Sequence, residues 1–435
     1  MEQIVPERPK WKTPFFTIWV GQAFSLLGSQ VVQFALVWWL TRSTGSATVL
    51  ATATLVALLP GILLGPFAGA CVDRWNRRLV MMAADGIIAL ATLGLGIIAA
   101  MGALRPWHVY IIMMLRALGG TFHWPAMQAS ISLMAPKEQL SRVAGLNQTL
   151  GGMLNIVAPP LGALLMSILP LWGVMLIDVG TAVLAIAPLV WVHIPQPSRS
   201  TAATGEAGKS SLWQDVREGL RYVLAWPGLR LIGVMATLLN LLLAPAASLL
   251  PILVMKHLGG GALQLGWMES AWGLGVVSGG LILSAWGGFR RRILTSLMGV
   301  IGMGLGGLLI GLTPADVLWP ALVGMFLVGA MVPIANGPLF AMVQATVAPD
   351  MQGRMLTLMN SAAAAASPIG LAIAGPVADL LGVTSWYLVG GVACLLMGIG
   401  GFVVPTVVHL EDARPPRAVG EQARASDALA DGDSD

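Results

Sequence analysis

Charge is what this chain has least of: across 435 residues only 10% are Asp, Glu, Lys or Arg, while 56% are hydrophobic. So few charges cannot clothe a soluble surface of this length. A mean hydropathy of +0.80, carried by repeated apolar runs long enough to cross a bilayer as helices, makes the chain an integral membrane protein. Cysteine is nearly missing as well. Cys71 and Cys394 stand alone, both at or inside apolar runs, which argues against a disulfide framework and a clustered metal site. No nucleophile lies at usable spacing from a base, no glycine-rich loop is built to cradle phosphate, and no ATP motif occurs, so no enzyme class is indicated. No nucleic-acid partner is read from the net charge of +4, and no cofactor or metal is expected.

The apolar runs place helices near 15–40, 48–71, 79–101, 108–134, 142–167 and 174–194, and again near 229–255, 264–287, 293–313, 317–347, 355–381 and 385–408. The expected architecture is all-α, with twelve transmembrane helices in two pseudo-symmetric six-helix bundles. Residues 1–14 are assigned to a cytoplasmic N-terminus, 15–195 to the first bundle and 196–228 to a cytoplasmic linker with an amphipathic helix. The second bundle takes 229–408, and 409–435 form a disordered tail. Residues 1–14 lack a short apolar core with a cleavage site, so the first span is expected to be its own uncleaved insertion signal. If the N-terminus is cytoplasmic, only Arg42, Arg105 and Lys256 face outward and Arg116 falls within a span, while the rest of the 24 Lys and Arg lie inside. That asymmetry places both termini in the cytoplasm of a multi-pass plasma or inner membrane protein.

Residues 196–211, rich in Ser, Ala, Thr and Gly, are expected to form a flexible linker. Leu212, Val216, Leu220, Val223 and Leu224 then recur at helical spacing, as an interfacial helix or an ordinary linker helix does. An internal repeat is also legible. Pro125, Ala135 and Pro136 match Pro338, Ala348 and Pro349 at one constant offset, which also carries Arg77 and Arg78 to Arg290 and Arg291, and Gly45 meets Gly259 within a residue. Duplication with divergence accounts for these matches.

The second span closes on Gly69, Asp73, Arg74, Arg77 and Arg78, with Gly65 one turn before. Small residues let another helix approach closely, and the acid and bases beyond can lock at the membrane surface. Together with twelve spans in two halves, this pattern resembles the first signature of the major facilitator superfamily, with Asn76 where a further Gly is usual. The resemblance implies that these residues form a cytoplasmic gate against the eleventh span, where residues 362–366 are all alanine.

Arg116 lies about 9 residues into the fourth span, roughly 13 Å deep, where an unpaired guanidinium is costly and must find a partner or water. Leu115, Arg116, Gly119, Gly120 and Thr121 resemble the family's second signature, which is linked to proton coupling. His123 follows two turns later on nearly the same face, as a proton carrier or as interfacial packing. Of the acids within spans, Asp85 is expected to pair with the hinge arginines such as Arg78. Asp178 and Glu269 are read either as proton-coupling carboxyls or as rim residues facing water, with Glu269 favoured because Trp267 and Trp272 flank it. In the fifth span Ala158, Pro159, Pro160, Leu161, Gly162 and Ala163 resemble a degraded antiporter signature whose prolines bend the helix.

Gln22, Ser25, Ser29 and Gln33 form a polar stripe on the first span with Gln30 beside it; the seventh offers Thr237, Asn240 and Ser248, and the tenth Asn336, Phe340 and Gln344. Resemblance to the family makes spans one, four, seven and ten the walls of a central cavity, so that these side chains, Phe122 and Arg116 would line it. The segments around Phe15, Phe16, Trp19 and Gly21, around Gly45, Ser46 and Ala47, and around Thr121, Phe122 and His123 are similar to macrolide efflux proteins, a drug:proton antiporter branch. What this implies is proton-driven export of a small amphipathic drug such as a macrolide by a monomer embedded in lipid. A siderophore or metabolite exporter, or a lipid flippase, on the same fold is the alternative.

Overall fold

The computed structural model describes residues 11–192, 194, 226–346 and 349–411. The expected linker at 196–211, the amphipathic segment 212–224 and most of the expected tail lie outside the described residues, as does the side chain of Asp73. Twelve long helices are described: α1 Lys12–Thr44, α2 Ala47–Arg74, α3 Arg77–Ala100, α4 Pro106–Met134, α5 Leu140–Ile168, α6 Leu171–Trp191, α7 Pro227–Ile252, α8 Ala262–Trp286, α9 Arg292–Gly311, α10 Trp319–Thr346, α11 Pro349–Leu381 and α12 Val383–Val403. No strand occurs among the described residues. Ten of these helices hold a stretch long and apolar enough to cross a bilayer. The two others are α4, diluted by Arg116 and His123, and α8, diluted by Gln264 and Glu269.

Local chemistry sets the helix ends. Gly45 closes α1 at φ 59° and Gly259 follows α7 at φ 60°, a left-handed conformation that strains any residue with a Cβ. The two glycines of the repeat therefore turn the chain in the same way. Ser46 caps α2 by accepting from the Val49 amide. Asn76 caps α3, its side chain accepting from the amides of Arg78 and Leu79 at 3.1 and 3.4 Å. This explains the departure from the family signature: at φ −71° the position needs no glycine, and asparagine there satisfies two open amides. The offset that takes Pro125 to Pro338 also takes Pro106, where α4 begins, to Trp319, where α10 begins.

Within the first half, α1 packs on α5 and α6, α4 on α2 and α3, and α3 on α6; in the second half α9 packs on α10 and α12, α8 on α10, and α7 on α11. Two helix pairs carry most of the contact between the halves, α2 with α11 and α5 with α8, and α7 also touches α1 and α2. At the first, a Cβ on Gly375 would stand 2.8 Å from the Thr48 Cα; at the second, one on Gly266 would stand 3.0 Å from the Pro160 Cα. Both contacts lie toward the ends opposite Arg74 and Arg290.

Candidate translocation site

Inside the first half, a polar network crosses four helices. Arg116 of α4 donates to the Asp178 carboxylate of α6 at 2.6 Å, to the Thr92 hydroxyl of α3 at 2.6 Å and to the Ser29 carbonyl of α1 at 3.0 Å. Thr92 and Ser29 each donate in turn to Asp178, at 3.2 and 3.0 Å. Side-chain exposure is 8% for Arg116 and 1% for Asp178, so each charge depends on the other. The partner expected for Arg116 is thus Asp178, which is no rim residue.

A second cluster lies nearer the basic end. Gln22 of α1 donates to Asp85 of α3 at 3.0 Å, and His123 Nε2 of α4 lies 3.3 Å from the other carboxylate oxygen, off the hydrogen-bond direction. Asp85 therefore pairs with Gln22 and His123, whereas the Arg78 guanidinium donates to the Val190 carbonyl of α6. The expected Asp85–Arg78 lock is corrected by the fold: the start of α3 turns Arg78 toward the end of α6 and Asp85 into the bundle. Three helices each supply both clusters at a spacing of seven residues, with Gln22 and Ser29, Asp85 and Thr92, and His123 and Arg116. Seven residues are nearly two turns, so the clusters are stacked storeys about 10.5 Å apart. Thr92 went unrecognised in the sequence; its place seven residues after Asp85, on a helix facing Arg116, was the available signal.

A cavity with two lobes that share Ala247, Leu250, Trp272 and Met325 opens from the space between the halves into the second half, whose residues alone line the deeper lobe. One lobe, about 300 Å³, is lined by Gln30, Gln33, Asn155 and Glu269; the other, about 290 Å³, is lined by Asn240, Met303, Trp386 and Tyr387. Gln30, Gln33 and Asn240 thus line a cavity as expected. Gln22 does not, being fully buried against Asp85. Arg116 is likewise spent inside the first half, and the described walls come from α1, α5, α7, α8, α9, α10 and α12 rather than α4. Asn336 lines a smaller pocket of about 200 Å³ that shares Asn240 and Met303. Phe340 and Gln344 are exposed and line none of these spaces. Phe122 stacks on Trp75 with ring centres 6.0 Å apart, in a lateral groove of α3 and α4. Of the two tryptophans flanking Glu269, Trp272 lines the cavity while Trp267 is exposed on the outside of the bundle. Glu269 itself has no hydrogen-bond or ion-pair partner among the described residues.

At the end opposite the arginines, Asp379 of α11 clamps the start of α2. Its carboxylate accepts from the Ser46 hydroxyl at 2.9 Å, the Ala47 amide at 2.8 Å, and the Thr48 amide and hydroxyl at 3.0 and 2.7 Å. A carboxylate at a helix N-terminus meets both open amides and the positive end of the helix dipole. Asp379 was missing from the acids expected within spans, for nothing in the sequence marks which helix end it faces. Thr54 of α2 and Ser248 of α7 share a 2.7 Å hydrogen bond, and Ser270 of α8 donates to the Ile156 carbonyl of α5 at 2.8 Å. The basic end differs. Around Gly65 and Gly69 nothing described lies within 4 Å of where a Cβ would be, so the close approach expected there is found at Gly375 instead. Arg74 is exposed, while Arg291 and Arg292 donate to carbonyls of their own half, Val408 and Ala341.

Twelve long helices in two repeat-related sets, charge buried inside one set and a cavity between them, define a membrane transporter of the major facilitator fold. The D-xylose-proton symporter structure superposes with a TM-score of 0.63 at 15% identity, covering 88% of this chain and 96% of that one. The chain belongs to the transmembrane secretion effector family, whose pattern matches residues 6–423. It is 34% identical over 389 residues to macrolide efflux protein A of Streptococcus pyogenes, covering 89% of this chain and 95% of that protein. The multidrug efflux pump Tap of Mycolicibacterium fortuitum is 27% identical over 403 residues, covering 89% and 95%.

Proposed function

We propose that the chain exports amphipathic compounds, drugs such as macrolides among them, in exchange for protons by alternating access. The observation that carries this reading is the tie between the halves at one end, where Asp379, Thr54 and Ser270 bond across them, while at the other no described atom lies within 4 Å of a Cβ on Gly65 or Gly69. The basic end is the cytoplasmic one by the distribution of Lys and Arg, and both termini lie on that side. With this orientation the less tied end is read as the cytoplasmic entrance, through which cargo reaches the cavity from the cell interior. Gly65, Gly69, Asp73 and the arginines close that side once Asp379 lets go.

For the proton, the stacked storeys of the first half supply titratable groups that are paired and buried, Asp178 with Arg116 and Asp85 with His123. Protonation of either carboxyl removes the charge that its partner needs, and so links proton occupancy to helix packing. The relatives named for macrolide and multidrug efflux support export as the direction. The proton gradient is the only energy source required, and one chain holds the whole site. The test is drug accumulation in cells lacking other pumps, with and without a protonophore. Expression lowers accumulation, and collapsing the gradient restores it; efflux indifferent to the gradient rules the exchange out.

A further inference from the structure

We infer that the cavity between the halves is a seat for organic cations, with the positive group held at Glu269 and the apolar body lodged against Trp272, Met325 and Tyr387; this rests on reading the cavity as the cargo site. Three observations meet there. First, Glu269 is the one carboxylate lining either lobe, it has no partner among the described residues, and no Lys, Arg or His lines the cavity with it. The buried guanidinium of the first half, Arg116, already belongs to Asp178.

Second, prolines leave the walls rich in acceptors. A proline has no N–H, so the carbonyl four residues earlier in its helix loses its partner. Pro159 thereby frees the Asn155 carbonyl and Pro251 frees that of Ala247, and both residues line the lobe that holds Glu269. Pro160 frees the Ile156 carbonyl in the same way, and that one is taken by Ser270, the residue next to Glu269. The freed carbonyls, the carboxylate and the amide oxygens of Gln30 and Gln33 all favour a cation. An anion here meets an unpaired carboxylate in a low-dielectric site.

Third, the shared wall is aromatic. Trp272 belongs to both lobes, and an indole face attracts a cation as well as an apolar surface. The second lobe beyond it, with Met303, Met325 and Tyr387, is adaptable and apolar, and the two lobes together suit a small molecule with one charged end.

The experiment compares two phenyl-bearing phosphorus probes, radiolabelled tetraphenylphosphonium and the smaller, uncharged triphenylphosphine oxide, binding at equilibrium to the full chain in lipid nanodiscs. Wild type is expected to bind the cation at least tenfold more tightly. Glu269→Gln loses that preference while binding the neutral probe within twofold of wild type, and Glu269→Asp keeps it. Equal affinity of wild type for the two probes, or a cation preference that survives in Glu269→Gln, overturns the proposal. Because the glutamine variant could fail to fold, a second measurement uses wild type alone: carbodiimide modification of Glu269, mapped by mass spectrometry. Tetraphenylphosphonium protects it and the oxide does not; equal protection, or none, counts against the seat. A cation preference in binding without gradient-driven export from cells leaves the seat standing and removes the exporter reading. Export without charge preference does the reverse.

Discussion

Arg116 and Asp178 show what one residue pair demands of its surroundings. Each is buried, and each is neutralised by the other at 2.6 Å. Removing one partner strands a charge, at a cost of about 3–5 kcal/mol for a buried pair. Arg116→Ala and Asp178→Ala are each expected to lower the apparent Tm of the purified protein and to abolish proton-linked export. The double variant should lose much less than the sum, since it strands nothing. A thermal scan in detergent across the four proteins checks this; additive losses would mean that the two charges are not coupled. At this scale the sequence was informative about chemistry and poor about partners. Arg116 declared itself by its depth in an apolar run, but Asp85 was assigned to the nearest arginine in sequence, and only the packing of α1 and α4 on α3 hands it to Gln22 and His123.

Whole helices were legible for a simpler reason: an apolar run must be helical in lipid, where every backbone group has to be paired within the segment. What the runs did not reveal was where one helix touches another. Gly69 and Gly375 read alike in sequence, yet among the described residues Gly375 meets the Thr48 backbone and Gly69 meets nothing within 4 Å. Gly375→Leu is therefore expected to push α2 and α11 apart and raise the fraction of molecules open at the Ser46 end, while Gly69→Leu leaves this state undisturbed. Spin labels on the outer ends of α2 and α11 report the difference as a shift to longer distances. Loss of the Asp379 cap acts in the same direction. A lost cap is worth about 1 kcal/mol, roughly a fivefold change in a two-state ratio. If Asp379→Ala leaves the distance distribution unmoved, the clamp is not what holds this end shut.

For the molecule as a whole, the repeat sets the terms of motion. Two halves with matched helix starts and a cavity between them can rock about that cavity. Within the second half, consecutive residues of α12 grip α7 one turn apart, Trp386 donating to the Leu242 carbonyl at 2.9 Å and Tyr387 to that of Ala246 at 2.6 Å. That double grip resists both sliding and rolling, so α7 and α12 travel together. Cross-linking the halves at the clamped end should then stop transport outright. With Cys71 and Cys394 replaced by serine, the pair Thr48→Cys and Asp379→Cys is expected to form a disulfide that abolishes export, with reductant restoring it. Export that continues through the cross-linked protein would exclude opening at that end. The twofold plan was visible in the prolines of the sequence; the ties that join the halves at the Ser46 end were not, because polar residues near helix ends do not declare their partners.

The contacts of α5 with α8 have one more consequence, for water. The Ile156 carbonyl that Ser270 satisfies has no other use for its lone pairs inside α5, since Pro160 offers no proton. When the halves separate, that carbonyl and the Asp379 carboxylate are left facing the opening, and water can take up each bond as it breaks. These polar contacts part at little enthalpic cost once water reaches them, unlike the apolar cluster that Leu50, Leu250 and Leu265 share across the halves. In the proposed cycle, wetting these bonds belongs to the opening stroke, and Pro160 is what keeps the Ile156 carbonyl free to be wetted.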